Sequence, residues 1–250
     1  MKVIEYGKEN KDAVMLLHGG GLSWWNYRKE AELLSDRFHV ILPVLDGHAG
    51  SDADFESIER NAERIISFID RECGGSLLLM GGLSLGGQIL TEILSMRGDI
   101  CRYAIIESAS VIPDKVTNAL IGPSFSSSYG LIRQKWFASL QFRSLKIRED
   151  LFDDYYRDTS AVTKENLIAF TKASTAYSPK ETLKDTSARG LVTVGGRELK
   201  NMIRSAELLH GMLKGSTLEI REGLYHGEFS INCPEAYAGK VLELTGMGRV

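Results

Sequence analysis

Residues 76–87 read Ser-Leu-Leu-Leu-Met-Gly-Gly-Leu-Ser-Leu-Gly-Gly, an apolar run that ends in glycines around a single serine. The stretch after it, Gln88 to Met96, is rich in helix formers. A short apolar run bounded by glycine predicts a strand. Glycines at 82 and 86 predict a tight reversal in which side chains would collide. Ser84 then stands on a strained turn above the sheet edge, with a helix N-terminus behind it. This is the strand–turn–helix setting that a G-x-S-x-G nucleophile requires. The bland alternative is a glycine-rich turn that holds a phosphate.

The rest of the chain repeats the same alternation. Apolar runs at 13–17 (AVMLL), 39–45 (HVILPVL), 103–106 (YAII), 191–194 (LVTV) and 217–220 (TLEI) predict further strands, with Pro43 weakening the far end of one. Residues 24–37 read as a helix. So do 55–73, where Ile58, Ala62, Ile65, Ile66 and Ile69 keep helical spacing. Short buried strands separated by helices imply a mostly parallel sheet covered on both faces, an α/β class. From 113 to 185 no buried strand is evident. Helices are expected at 131–145, 147–157 and 163–176, and loop at Pro123 and the serines of 124–128. An insertion of helices cannot extend the sheet, so it must lie over an edge or end. Ligands of such sheets bind at the carboxyl ends of the strands. The expected division is a core of 1–112 and 186–250 with a helical cap of 113–185, hinged near Pro113 and near 187–190. The segment carries Leu131, Trp136, Phe137, Leu140, Phe142 and Phe170, some to pack the cap on the core and others to face the pocket.

Composition narrows the function classes. At 250 residues, 43% hydrophobic and 25% charged, one globular domain is expected. A net charge of -3 with no basic tract argues against nucleic acid as a partner. Met1 to Asn10 has no apolar core of a signal peptide, and no apolar run approaches ~18 residues, so no membrane span is expected. Cys73, Cys101 and Cys233 are scattered and odd in number, which argues against disulfides or a metal site and for the cytoplasm. Neither a cofactor nor a metal is called for, and the oligomeric state is left open.

Two further signals accompany Ser84. His18-Gly19-Gly20-Gly21 follows the first apolar run. Acyl transfer builds charge on a carbonyl oxygen, and backbone N–H groups must meet it. The Leu85 amide is one expected donor, and Gly20 or Gly21 supplies the other. His18 is expected to be a structural hydrogen-bonder. A serine nucleophile of this kind needs a histidine as general base. After Ser84 the histidines are His210 and His226. His210 lies in a helical stretch, whereas His226 follows the strand TLEI through a short loop, over the sheet's carboxyl end.

With HGGG at 18–21, DGHAGS at 46–51, GLSLGG at 82–87 and YHGE at 225–228, the chain resembles the α/β-hydrolase superfamily over nearly its whole length. Within it, the chain resembles small carboxylesterase-like and pimeloyl-ester-esterase-like members. DGHAGS departs from the family's G-H-G-x-S loop at Ala49, and His48 there carries no chemical role. The helical insertion resembles the family's cap between strands six and seven. The resemblance implies an acid after the strand that precedes the histidine strand, where Gly195-Gly196-Arg197-Glu198 puts Glu198 in place of the usual aspartate. Glu107, after YAII, is the rival, since some members carry the acid there. The implied activity is cleavage of a small or medium carboxylic ester through an acyl-enzyme. A thioesterase, a C–C bond hydrolase, a lyase resembling the menaquinone-pathway synthase and a non-catalytic binding protein on the same fold are the alternatives.

Overall fold

The computed structural model describes residues 1–248. Its centre is one seven-stranded sheet: β1 (Val3–Tyr6), β2 (Ala13–Leu17), β3 (His39–Pro43), β4 (Leu77–Leu83), β5 (Cys101–Glu107), β6 (Arg189–Gly195) and β7 (Gly215–Arg221). The spatial order is β1-β3-β2-β4-β5-β6-β7. Every neighbouring pair is parallel except β1 and β3. Val14, Met15, Leu79, Met80, Ile105 and Leu191 alternate between the two faces and are all buried. Burial on both faces is why these strands read as unbroken apolar runs.

Helices cover both faces: α1 (Arg28–Leu34), α2 (Ile58–Glu72), α3 (Leu85–Met96), α8 (Lys200–Met212), α9 (Glu228–Asn232) and α10 (Pro234–Thr245). Between β5 and β6 come α4 (Lys115–Ile132), α5 (Lys135–Ser144), α6 (Phe152–Ala161) and α7 (Lys164–Ala176). In this chain's own count of seven strands, the insertion therefore falls between the fifth and the sixth.

Three expectations are corrected. Val3–Tyr6, read as part of a mixed polar N-terminus, is an antiparallel edge strand on β3. It is only half-buried along its length, so it lacks the apolar signature of the central strands. Pro123 and the following serines lie inside α4, where a loop is expected. The hydroxyls of Ser127 and Ser128 donate to carbonyls three and four residues back, so these loop-favouring side chains are satisfied within the helix. Leu131, Trp136 and Leu140 face solvent, while Phe142 and Phe170 are buried. Residues of the insertion that reach the site come from the α5–α6 connection and from α7, described below. Among the described residues no helix is long and apolar enough to cross a membrane.

The insertion is fastened to the core through α6 and α7. Trp25 Nε1 donates to Asp158 Oδ2 at 2.8 Å, and Arg28 pairs with Asp154 at 2.5 Å. The Thr159 hydroxyl donates to the Gly21 carbonyl at 3.2 Å, and Asn166 Oδ1 accepts from Phe55 N–H at 2.8 Å.

From β2 the chain moves outward to β3, and from β4 it moves the other way through β5 to β7. The sheet thus changes direction between β2 and β4, and the crevice at the carboxyl ends of such a pair is where α/β sheets take ligands. Leu17 pairs with Gly82 in register, so the loop after β2 and the turn after β4 open side by side.

Candidate active site

The turn after β4 is built by its glycines. A Cβ on Gly82 would sit on the Gly86 carbonyl, and a Cβ on Gly86 would sit on the Leu17 carbonyl. Ser84 between them has φ 52° and ψ -113°, a left-handed conformation that serine adopts at a cost. Its N–H donates to the Glu107 carbonyl at 2.8 Å, which ties the turn to the end of β5. Ser84 lines a cavity of about 70 Å³ together with Gly20, Leu22, Leu145, Ile147 and His226, among others. Leu145 and Ile147 belong to the α5–α6 connection, so the insertion closes one wall of this cavity.

His226 and Glu198 meet across the ends of β7 and β6. The imidazole Nδ1–H donates to Glu198 Oε2 at 2.6 Å. Among the described residues Nε2 has no protein partner, and the ring lines the cavity shared with Ser84. Glu198 Oε1 accepts two more bonds, from the Ser108 hydroxyl at 2.6 Å and the Gly195 N–H at 2.8 Å. Burial opposes the charge on this carboxyl, but the His226, Ser108 and Gly195 donors outweigh it and hold the pKa below the ordinary glutamate value. His210 is elsewhere, its ring hydrogen-bonded to Ser216.

Glu107 does not touch the imidazole. It is 1% exposed, accepts one bond from Ser230 N–H at 3.2 Å, and leaves Oε2 without a partner. Burial pushes its pKa up to about 7 against the hydrogen bonding of Ser230 and the charge of His226, with the nearby Glu198 charge adding to the rise.

The HGGG loop is ordered by two histidines. His18 Nδ1–H donates to the Gly19 carbonyl, and Nε2 accepts from Leu45 N–H at 3.1 Å. His48 Nδ1–H donates to the Asp46 carbonyl, and its Nε2 accepts the Gly21 N–H at 3.0 Å. Burial favours the neutral rings, lowering His18 well below its usual value and His48 to about 4. The Gly21 amide is therefore occupied. The Gly20 and Leu85 amides have no protein acceptor among the described residues, and the two residues lie against each other. Phe170 of α7 stacks on His48 with ring centroids 4.6 Å apart.

Two residues in this arrangement escape a reading of the sequence. Ser108, with φ 50°, stands in no motif; its only signal is that it follows a strand end. His48 stands in a motif but owes its importance to Gly21, a partner remote in the chain. Replacing Ser108 by glycine, which suits that φ, removes the CH2OH side chain and with it the hydroxyl that donates to Glu198. We expect kcat to fall about tenfold with little change in KM, since one charge-assisted bond to the carboxylate is lost. Steady-state kinetics on the purified variant checks this.

The family described as the alpha/beta hydrolase family matches residues 14–239. Among solved structures, an esterase from Thermogutta terrifontis is 18% identical with a TM-score of 0.78, covering 98% of this chain and 93% of its own. The enol-lactonase of Burkholderia xenovorans LB400 is 16% identical with a TM-score of 0.79, at 98% and 96% coverage. MenH from S. aureus is 14% identical with a TM-score of 0.77, at 98% and 97% coverage. At these identities the likeness is one of fold. No curated protein matches the sequence.

Proposed function

Because the chain belongs to the α/β-hydrolase family, we propose that it cleaves a small or medium carboxylic ester through an acyl-enzyme on Ser84. One observation carries the reading: a serine held at positive φ opens into the same cavity as a histidine whose Nδ1–H is fixed by a buried carboxylate. Fixing the proton on Nδ1 leaves the Nε2 lone pair free to take one. In the proposed route His226 Nε2 accepts the Ser84 proton as Oγ attacks the ester carbonyl. The Gly20 and Leu85 amides donate to the oxygen as it becomes negative. His226 then gives its proton to the departing alcohol. A water, losing a proton to the same nitrogen, attacks the acyl-enzyme, and His226 returns that proton to Ser84 Oγ as the acid departs. Glu198 stays ionised throughout and stabilises the imidazolium.

Labelling by a fluorophosphonate probe together with turnover of short p-nitrophenyl esters tests the reading. A protein that neither labels nor turns over any ester would sink it. The same groups would serve a thioester, so matched esters and thioesters belong in one panel.

The narrow cavity favours a short acyl group, and its size is set partly by Ile147. We expect Ile147→Ala to raise kcat/KM for longer acyl chains relative to acetate by about tenfold, the scale of one or two methylenes in an apolar pocket. A chain-length series of p-nitrophenyl esters reads it. An unchanged ranking would remove Ile147 from substrate choice.

A further inference from the structure

Beyond His226 the catalytic cavity continues into an open groove of about 360 Å³. The two share Leu145 and His226, so one ligand could occupy both. Leu145, Leu199 and Met202 make the groove's wall apolar, and Leu199 is 80% exposed there. At its rim stands Tyr225, the residue before His226. Arg197 packs on the Tyr225 ring, Cζ 5.5 Å from the centroid, and donates through Nη1 to the phenol oxygen at 3.1 Å. The Lys146 ammonium lies 5.7 Å from the centroid of the same ring. Two cations are thus gathered on one aromatic side chain.

Neither cation forms an ion pair among the described residues. The carboxylates close by are already engaged: Glu198 by His226, Ser108 and Gly195, and Glu228 by Tyr225 N–H and by Asn232. Arg143, exposed on α5, lines an adjoining groove with Lys146 and likewise has no carboxylate partner there. Glu149 and Glu228 are the carboxylates that line the same groove.

The backbone adds an independent sign. Among the described residues, three positions other than glycine have positive φ: Ser84, Ser108 and Lys146. The first presents the serine hydroxyl and the second holds Glu198. Lys146, at φ 58°, is clamped by Asn232, whose Nδ2 donates to the Lys146 carbonyl at 2.6 Å and whose Oδ1 accepts Arg148 N–H at 3.1 Å. Glycine would take this turn at less cost. A lysine held there places an ammonium beside Tyr225, at the rim of the groove.

The geometry points to an anion subsite formed by Arg197 and Lys146 around Tyr225, which receives a carboxylate or phosphate carried by the ester at the far end of an apolar segment. This rests on the ester-hydrolase reading and names the substrate class within it. The apolar middle of such a substrate would lie along Leu145, Leu199 and Met202, with its ester at Ser84 and its anion at the rim.

The test compares esters ending in carboxylate, phosphate or a neutral amide of equal length. The wild type should favour the anionic esters in kcat/KM by about tenfold, as two partly exposed ion pairs allow. The preference should shrink toward one in Arg197→Gln and in Lys146→Gln, and weaken with added salt. The carboxylate and phosphate arms tell which anion is meant. Calorimetric binding of hexanoate, hexyl phosphate and hexanamide to Ser84→Ala protein reads the subsite without turnover. Equal binding of all three, or an anion preference that survives both rim substitutions, would overturn the proposal. If no ester is hydrolysed the ester reading fails, and the calorimetry still decides the subsite.

Discussion

Ser84→Ala is expected to abolish fluorophosphonate labelling and to lower ester turnover by about four to six orders of magnitude. The size follows from how such groups act. Once the attacking oxygen is gone, the histidine and carboxylate have no proton to move, and only the oxyanion donors and binding remain. Alanine has the same Cβ as serine, so the turn at φ 52° bears the same strain and the fold should survive. Circular dichroism and the thermal midpoint check that survival, while mass spectrometry reads the label. Labelling of the alanine protein at the wild-type level would remove Ser84 from the mechanism.

The second large effect is expected at Glu198. Oε1 accepts from both Ser108 and Gly195 N–H, and Oε2 accepts from His226. In Glu198→Gln the amide oxygen will keep the two-donor position, which turns the NH2 group toward Nδ1. The imidazole must then accept there and carry its proton on Nε2, where it cannot take one from Ser84. A fall in kcat of about 10³ to 10⁴ is expected, the cost of the wrong tautomer. Glu107→Gln should change kcat little, because Glu107 does not touch the ring. Its signature is thermal. The folded carboxyl keeps its proton to about 7, whereas the ordinary glutamate value is 4.5. The folded chain therefore binds more protons across that window, and stability from this group is present below 4.5 and lost as the pH rises through 7. Glutamine stays neutral at every pH. Glu107→Gln should thus melt higher than wild type at pH 8, by at most ~3 kcal/mol of stability, with the difference vanishing toward pH 4. A collapse of kcat in Glu107→Gln, with Glu198→Gln active, would exchange the two roles.

The central strands and the turn at Ser84 are legible in sequence because their physics is local. A strand buried on both faces must be apolar, and a turn this tight must be glycine. His226 is nearly as plain, since few late histidines follow a strand. The acid is less so: Glu198 and Glu107 both follow strands, and what separates them is burial and the company of Ser108, Gly195 and Ser230, which only the folded chain brings together. The choice between Gly20 and Gly21 turns on one bond from Gly21 to His48, and no spacing in the chain encodes it. β1 hides because an edge strand need bury only part of itself. The helix through Pro123 hides because serine and proline disfavour helices locally, while the capping bonds of Asp114 favour this one and the serine hydroxyls find acceptors within it.

The conformation of Ser84 has a consequence for the history of such a chain. A backbone at φ 52° and ψ -113° suits glycine, and a serine there lowers stability by about 1–3 kcal/mol. Under selection for folding alone, replacement by glycine, which lacks the Cβ, would therefore be favoured. A lineage keeps the serine only while something rewards the hydroxyl more than the lost stability. The residue is in that sense a standing expense, and its presence records that the expense has been worth bearing.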